Sequence, residues 1–260
     1  MKKDFLFLHL RDLPYFRALL RAVESAYYQD LDLPSPTLDI GCGDGHFASL
    51  TFDRKLEVGL DPWHGPIQEA GTRGVYDLLI EADAAQSPFP DGAFASALSN
   101  SVLEHIPQVE AVLTEASRLL RADAPFVFCV PNHQFLPNLS VARFLDKIHL
   151  KGLAEAYRAF FNKISRHYHC DPPEVWEKRL NAAGFEMEKY WHYFSPDSLR
   201  VLEWGHYFGL PSLIMHVFTR KWLLSPTHWN LYFTERFTRK YASTEPVDDG
   251  AYTFYIARKR

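Results

Sequence analysis

From about residue 36 to residue 131 the chain alternates short apolar runs with stretches of helical period. The runs 37–40, 56–60, 77–81, 94–98 and 125–130 read as strands, and 45–52, 65–71 and 108–121 read as helices. In 108–121 the residues Val109, Val112, Leu113, Ala116, Leu119 and Leu120 recur at helical spacing, and Arg118 and Arg121 close the last turn, where cations suit the helix dipole. Phe126-Val-Phe-Cys-Val130 is apolar without a break, as a parallel strand covered on both faces should be. Strand and helix in alternation predict a doubly wound, mostly parallel sheet with helices on both faces.

Outside this region the pattern continues less regularly. Residues 1–30 read as one amphipathic helix running through Tyr15, Phe16, Leu19 and Leu20. His9 and Arg11 break its apolar start too early for a signal-peptide core, and no small-residue cleavage site follows. Trp176 to Phe185 reads as a helix leading into a sixth strand, 186–194, and 251–257 as a seventh. The expected core is therefore 31–132, 174–194 and 250–260. Two insertions, 133–173 and 195–249, form a helical and aromatic cap. The first carries Phe144, Leu145, Ile148, Leu153, Tyr157 and Phe160 at helical spacing. The second holds Trp204 to Thr219, a run without Asp, Glu, Lys or Arg that Gly209 and Pro211 interrupt. That run is short of the roughly 20 apolar residues a spanning helix needs. Two readings of 196–240 stay open: rings such as Trp222, Trp229, Tyr232 and Phe233 anchor a peripheral membrane contact or an acceptor-pocket lid, or they pack the insertion onto the body.

Composition narrows the classes. An apolar fraction of 47% in 260 residues is that of a globular protein, and a net charge of -4 with scattered cations argues against a nucleic-acid partner. Cys42, Cys129 and Cys170 are odd in number and lack C-x-x-C spacing, which fits a reducing, cytoplasmic compartment. Oligomeric state leaves no mark on the pattern.

The chemistry concentrates after the first strand, in Asp39-Ile-Gly-Cys-Gly-Asp-Gly45. Glycines at alternate positions between a strand and a helix let a ligand lie against bare backbone. A dinucleotide site would have G-x-G-x-x-G; here the third glycine comes early and His46 stands in the last place. Asp39 would also repel a pyrophosphate, whereas it attracts a cationic amino-acid tail. Asp61 and Asp83 arrive at the ends of the next two strands, and Ser99 to His105 places polar groups at the tip of the fourth, where such sheets bind ligands.

With these residues the chain resembles the class I S-adenosylmethionine-dependent methyltransferases, through the D-x-G-C-G-x-G loop and the segment Ser101-Val-Leu-Glu-His-Ile106. The resemblance implies a Rossmann-like seven-stranded fold with S-adenosylmethionine as cofactor. It implies that Asp39, Gly41, Cys42 and Gly43 hold the methionine end, Asp61 with Pro62 the ribose, and Asp83 with Ala84 the adenine, with Asn100 at the fourth strand's tip. Ala95 departs from it, standing where the family often has an acid. The expected reaction is in-line methyl transfer to a small or lipid-linked acceptor, O-methylation by preference because the cap is aromatic, histidine-rich and not basic. His105, His133 and His169 are the candidate catalytic groups. His167 and His169, which alternation would point the same way, have no spaced acid or cysteine partner, so no metal is expected. A non-catalytic or membrane-associated binder of the cofactor is the alternative, and an NAD-dependent oxidoreductase is opposed by Asp39 and His46.

Overall fold

A computed structural model of the chain describes residues 3–209, 218–219, 222–223 and 226–260. It contains two compact units, each assembled from three stretches: 31–133, 165–191 and 252–260 in one, and 1–30, 134–164 and 192–251 in the other. The stretch 165–173, expected in an insertion, belongs to the first unit.

The first unit is built on a seven-stranded sheet. Its strands are β1 (Thr37–Ile40), β2 (Leu56–Asp61), β3 (Tyr76–Glu81), β4 (Ser96–Asn100), β5 (Pro125–Pro131), β6 (Phe185–Tyr193) and β7 (Tyr252–Lys259), in the order β3-β2-β1-β4-β5-β7-β6. β1 pairs in parallel with β2 and β4, β2 with β3, and β4 with β5, whereas β7 lies antiparallel to β5. The register sets Asp39 beside Gly59 and Asp61 beside Glu81, so acids from neighbouring strands end at one edge of the sheet. Inward residues such as Leu38, Ile40, Leu60, Phe126 and Phe128 are buried with Val112 and Leu113 of the helix Val109–Leu119. Each large apolar side chain so covered contributes roughly 1.5–3 kcal/mol.

Observed strand limits lie within two residues of the expected ones. The fourth strand begins at Ser96 rather than 94, because Pro36 O takes both the Ala95 and the Ser96 amides while Phe94 makes a single bridge to Leu120.

The helices are α1 (Phe5–Leu10), α2 (Tyr15–Gln29), α3 (His46–Thr51), α4 (His64–Arg73), α5 (Val109–Leu119), α6 (Ser140–Lys147), α7 (Lys151–Ser165), α8 (Pro173–Ala182), α9 (Pro196–Phe208) and α10 (His228–Thr238). The single N-terminal helix expected over 1–30 is two: the Asp12 and Leu13 amides both turn back to His9 O, and Pro14, which has no amide hydrogen to donate, stands before α2. In this second unit Gly205 of α9 lets Phe16 of α2 close in, since a Cβ there would lie 2.2 Å from the Phe16 Cβ. Glu203, buried on α9, accepts the Ser140 amide at 2.6 Å and the Val141 amide at 3.1 Å, and so caps α6; it also accepts the Tyr157 hydroxyl at 2.7 Å. α9 occupies the start of the second insertion expected in the cap, opened by Ser195 as cap and Pro196 in the first turn. Most of the uncharged run beyond it, 210–217, lies outside the described residues, and with it the interfacial reading of that run. Among the described residues no helix is long and apolar enough to cross a membrane.

Candidate functional site

β1 delivers its carboxyl end into a loop whose three glycines all take left-handed backbone: Gly41 at φ +77°, Gly43 at +55° and Gly45 at +73°. The Gly41 and Cys42 amides both donate to Leu60 O, at 2.8 and 3.0 Å, which folds the loop over the end of β2. The glycines differ in what surrounds them. A Cβ on Gly41 would lie 2.4 Å from Val102 Cγ1, and one on Gly45 3.3 Å from Ala70, but one on Gly43 would meet no protein atom within 4 Å.

Two buried acids stand under this loop. Asp61 accepts the Gly43 amide on Oδ2 and the Trp63 amide on Oδ1, each at 3.0 Å. Burial raises its pKa, the two amides oppose that, and Asp44 adds to the rise. Asp39 accepts the Tyr76 hydroxyl at 2.7 Å. Its pKa is pushed up from an ordinary 3.8 to about 7, mainly by burial, against the Tyr76 hydrogen bond and with help from the Asp61 charge. Cys42 is buried beside them, and burial, then Asp39 and Asp61, raise its thiol pKa, so it stays neutral. Sequence reasoning missed the bond from Gly43 to Asp61, and it missed Tyr76, whose only signal was an aromatic residue at the start of a strand.

Asp83 and Ala84 follow β3. Asp83 is exposed and accepts the Ala85 amide at 2.9 Å, closing a turn. The loop behind it is pinned from α5: Glu115 Oε1 accepts the Ser87 amide at 2.8 Å and its hydroxyl at 2.9 Å, and Arg118 donates to Phe89 O at 2.9 Å. Arg118 beside it holds the Glu115 carboxyl down at about 2, despite partial burial. Pro62 is exposed at the end of β2. Asn100, buried at the tip of β4, accepts the Cys129 thiol at 3.1 Å, and Ser101 after it takes a left-handed φ of 52°, uncommon outside glycine.

The histidines part company. His133 is exposed immediately after β5, next to Asn132, whose amide donates to Thr253 Oγ1 at 2.9 Å. His105 is exposed and shares its Nδ1 with Arg166 O at 3.0 Å. His169, a candidate base in the sequence reading, is buried, with Nε2 3.0 Å from Ile106 O and Nδ1 3.3 Å from the Arg179 guanidinium. With both ring nitrogens engaged it offers an acceptor no free lone pair, and the catalytic expectation for it is withdrawn. Nor do His167 and His169 point together: the Tyr168 and His169 amides both bend to Glu104 O, and the His167 ring sits 5.3 Å from that of His105.

Residues 38–128 match a family described as a methyltransferase domain. Sarcosine/dimethylglycine N-methyltransferase of Halorhodospira halochloris is 37% identical over 33% of this chain and 33% of its own length. Ubiquinone biosynthesis O-methyltransferase of Vibrio atlanticus is 31% identical over 38% of this chain and 44% of its own. These matches span less than half of either relative. Among solved structures, a SAM-dependent methyltransferase of Thermotoga maritima superposes with a TM-score of 0.56 at 18% identity, covering 98% of this chain and 92% of its own, a likeness of fold.

Proposed function

We propose that this chain is a class I S-adenosylmethionine-dependent methyltransferase that takes S-adenosylmethionine as cofactor and transfers its methyl group to a hydroxyl of a small or lipid-linked acceptor. The observation that carries the reading is the pairing of Gly43 with Asp61 beneath a loop whose Gly43 side faces no protein atom. A ligand can lie there against backbone, with Asp39 and Asp61 close by.

In this reading Asp39 meets the cofactor's ammonium, and the backbone of Gly41, Cys42 and Gly43 meets its carboxylate end. Asp61, oriented through the Gly43 and Trp63 amides, keeps carboxylate lone pairs for the ribose hydroxyls, with Pro62 beside it. Asp83 and Ala84 flank the adenine, and Asn100 closes the site from β4. Two acids at the loop make a poor pyrophosphate site, which argues against a dinucleotide.

When bound, S-adenosylmethionine supplies a methyl group on a positively charged sulfur. The protein's share is alignment, which fixes the acceptor oxygen behind that methyl, and removal of the hydroxyl proton as the new bond forms. His133, exposed at the tip of β5, is the residue we assign to the acceptor side.

Calorimetric titration with S-adenosylhomocysteine, with NADH as control, tests the cofactor. Micromolar binding of the first alone is expected, and binding of NADH instead would overturn the reading. Once an acceptor is found, His133→Ala should leave S-adenosylhomocysteine affinity unchanged and lower kcat roughly 10²–10⁴-fold, the usual share of a general base. Equal turnover would remove His133 from the site.

A further inference from the structure

Glu104, His105 and His167 come together where the short 3-10 turn after β4 meets the segment 166–170. One ligand atom from each lies within 4.8 Å of the others. Glu104 Oε1 is 3.7 Å from His105 Nε2. We propose that these three side chains form a binding site for a divalent transition metal, zinc by preference.

The donor set suits that ion. Two imidazoles and one carboxylate are the ligands of open zinc sites, and the same set also takes ferrous iron; magnesium and calcium ask for oxygen alone. Around zinc, with metal–ligand bonds of about 2.0–2.1 Å, tetrahedral donors stand about 3.3 Å apart. The present separations need to shrink by about 1.5 Å at most. His105 is exposed and His167 half-buried, so side-chain rotation supplies that movement without shifting the backbone.

The surroundings are arranged as they are around metal-binding histidines. Such a histidine donates its other N–H to a backbone carbonyl or carboxylate, which fixes the tautomer and turns a lone pair on the metal. His105 does this: Nδ1 lies 3.0 Å from Arg166 O, which leaves Nε2 toward Glu104 as an acceptor. Arg166 presents that carbonyl from a left-handed φ of 58°, a conformation costly to a residue with a long side chain. The Tyr168 amide in turn donates to Glu104 O at 2.7 Å, so the segment carrying His167 is tied to the residue it would share the metal with. Cys170 Sγ is 3.7 Å from His167 Nδ1 but does not belong to the group of three. Three protein ligands leave at least one position for water or for an oxygen of the acceptor.

The test needs no acceptor and no turnover. Protein stripped with a chelator, then equilibrated with zinc and gel-filtered, should retain about one zinc per chain by elemental mass spectrometry and hold it in competition with a chromophoric chelator. His105→Ala and His167→Ala should each weaken zinc at least about 100-fold, more than loss of an outer hydrogen-bond partner does. Glu104→Gln is a secondary variant, because Glu104 is buried and its change can disturb folding. Far-UV circular dichroism and S-adenosylhomocysteine affinity, unchanged in both histidine variants, report an intact fold. Wild-type protein that retains no zinc, or zinc retained equally by the double variant His105→Ala/His167→Ala, overturns the proposal. Loss of S-adenosylhomocysteine binding in the wild type would sink the cofactor reading and leave this one standing.

Discussion

Gly41 and Gly43 sit two positions apart in the same left-handed conformation, yet substitution should separate their roles. Alanine at either carries a backbone strain of roughly 1–2 kcal/mol. At Gly41 the new methyl also strikes Val102, so Gly41→Ala should lower the melting temperature clearly more than Gly43→Ala. Gly43→Ala has no protein atom to strike; it should fold and weaken S-adenosylhomocysteine at least about tenfold, because the methyl enters the space assigned to the ligand. Equal melting temperatures, or full affinity in Gly43→Ala, would contradict that division. Asp39 gives a pH signature. Its carboxyl holds a proton in the folded chain up to about pH 7, against an ordinary value of 3.8, so the folded state binds more protons than the unfolded one between those values. Its contribution to stability is therefore complete below pH 3.8 and is lost as pH rises toward about 7, a change on the order of a few kcal/mol. Asp39→Asn should flatten that slope in thermal melts, and the cationic ligand should bind the wild type more tightly at pH 8 than at pH 6. The acids and glycines themselves were legible in the sequence, since strand tips and glycine spacing are local signals. Tyr76 was not, because it meets Asp39 from 37 positions away and sequence periodicity carries no information on that pairing.

The loop proposed to flank the adenine is held by a helix. α5 carries Glu115 and Arg118 on the turn facing residues 87–91, and their bonds to Ser87, Phe89 and Asp91 replace secondary structure there. Glu115→Gln weakens the pairing with Arg118 and should cost about 1–2 kcal/mol, on the scale of charged hydrogen bonds. Faster amide exchange over 86–92 should accompany it, with α5 itself unchanged. The same carboxyl, held at about 2, keeps its contribution as pH falls from 7 and loses it only as pH drops from 4.5 through about 2. At this scale the parallel strands were the most legible part of the chain, since each is a continuous apolar run. The break between α1 and α2 was marked by Pro14 but overridden by the apolar period on either side. α9 was missed because its aromatic composition outweighed its cap, Ser195-Pro196.

For the molecule, every residue proposed above to hold the cofactor lies in the sheet unit, so ligand binding should stabilise that unit. At about 100 times the dissociation constant a ligand specific to the folded state adds about 2.7 kcal/mol, which in a domain of this size raises the melting temperature by roughly 5–10 °C. Differential scanning fluorimetry with S-adenosylhomocysteine should show that rise, and Asp61→Ala should reduce it. The division into two units was visible only in outline, because each unit is stitched from three stretches and the joining contacts are distant in sequence. His169 shows the limit at its clearest: its neighbours in the chain suggested a site, and its partners Ile106 and Arg179 put it in the structure.

The strand order has a bearing on how the chain is made. β7 lies between β5 and β6, yet the whole span from Phe194 to Ala251 is synthesised between β6 and β7. A growing chain on the ribosome thus leaves the side of β5 away from β4 without its strand partner until Tyr252–Lys259 has emerged from the exit tunnel. Stalled or truncated translation products should be aggregation-prone for that reason, and chaperones that shield apolar strand edges should be their natural escorts.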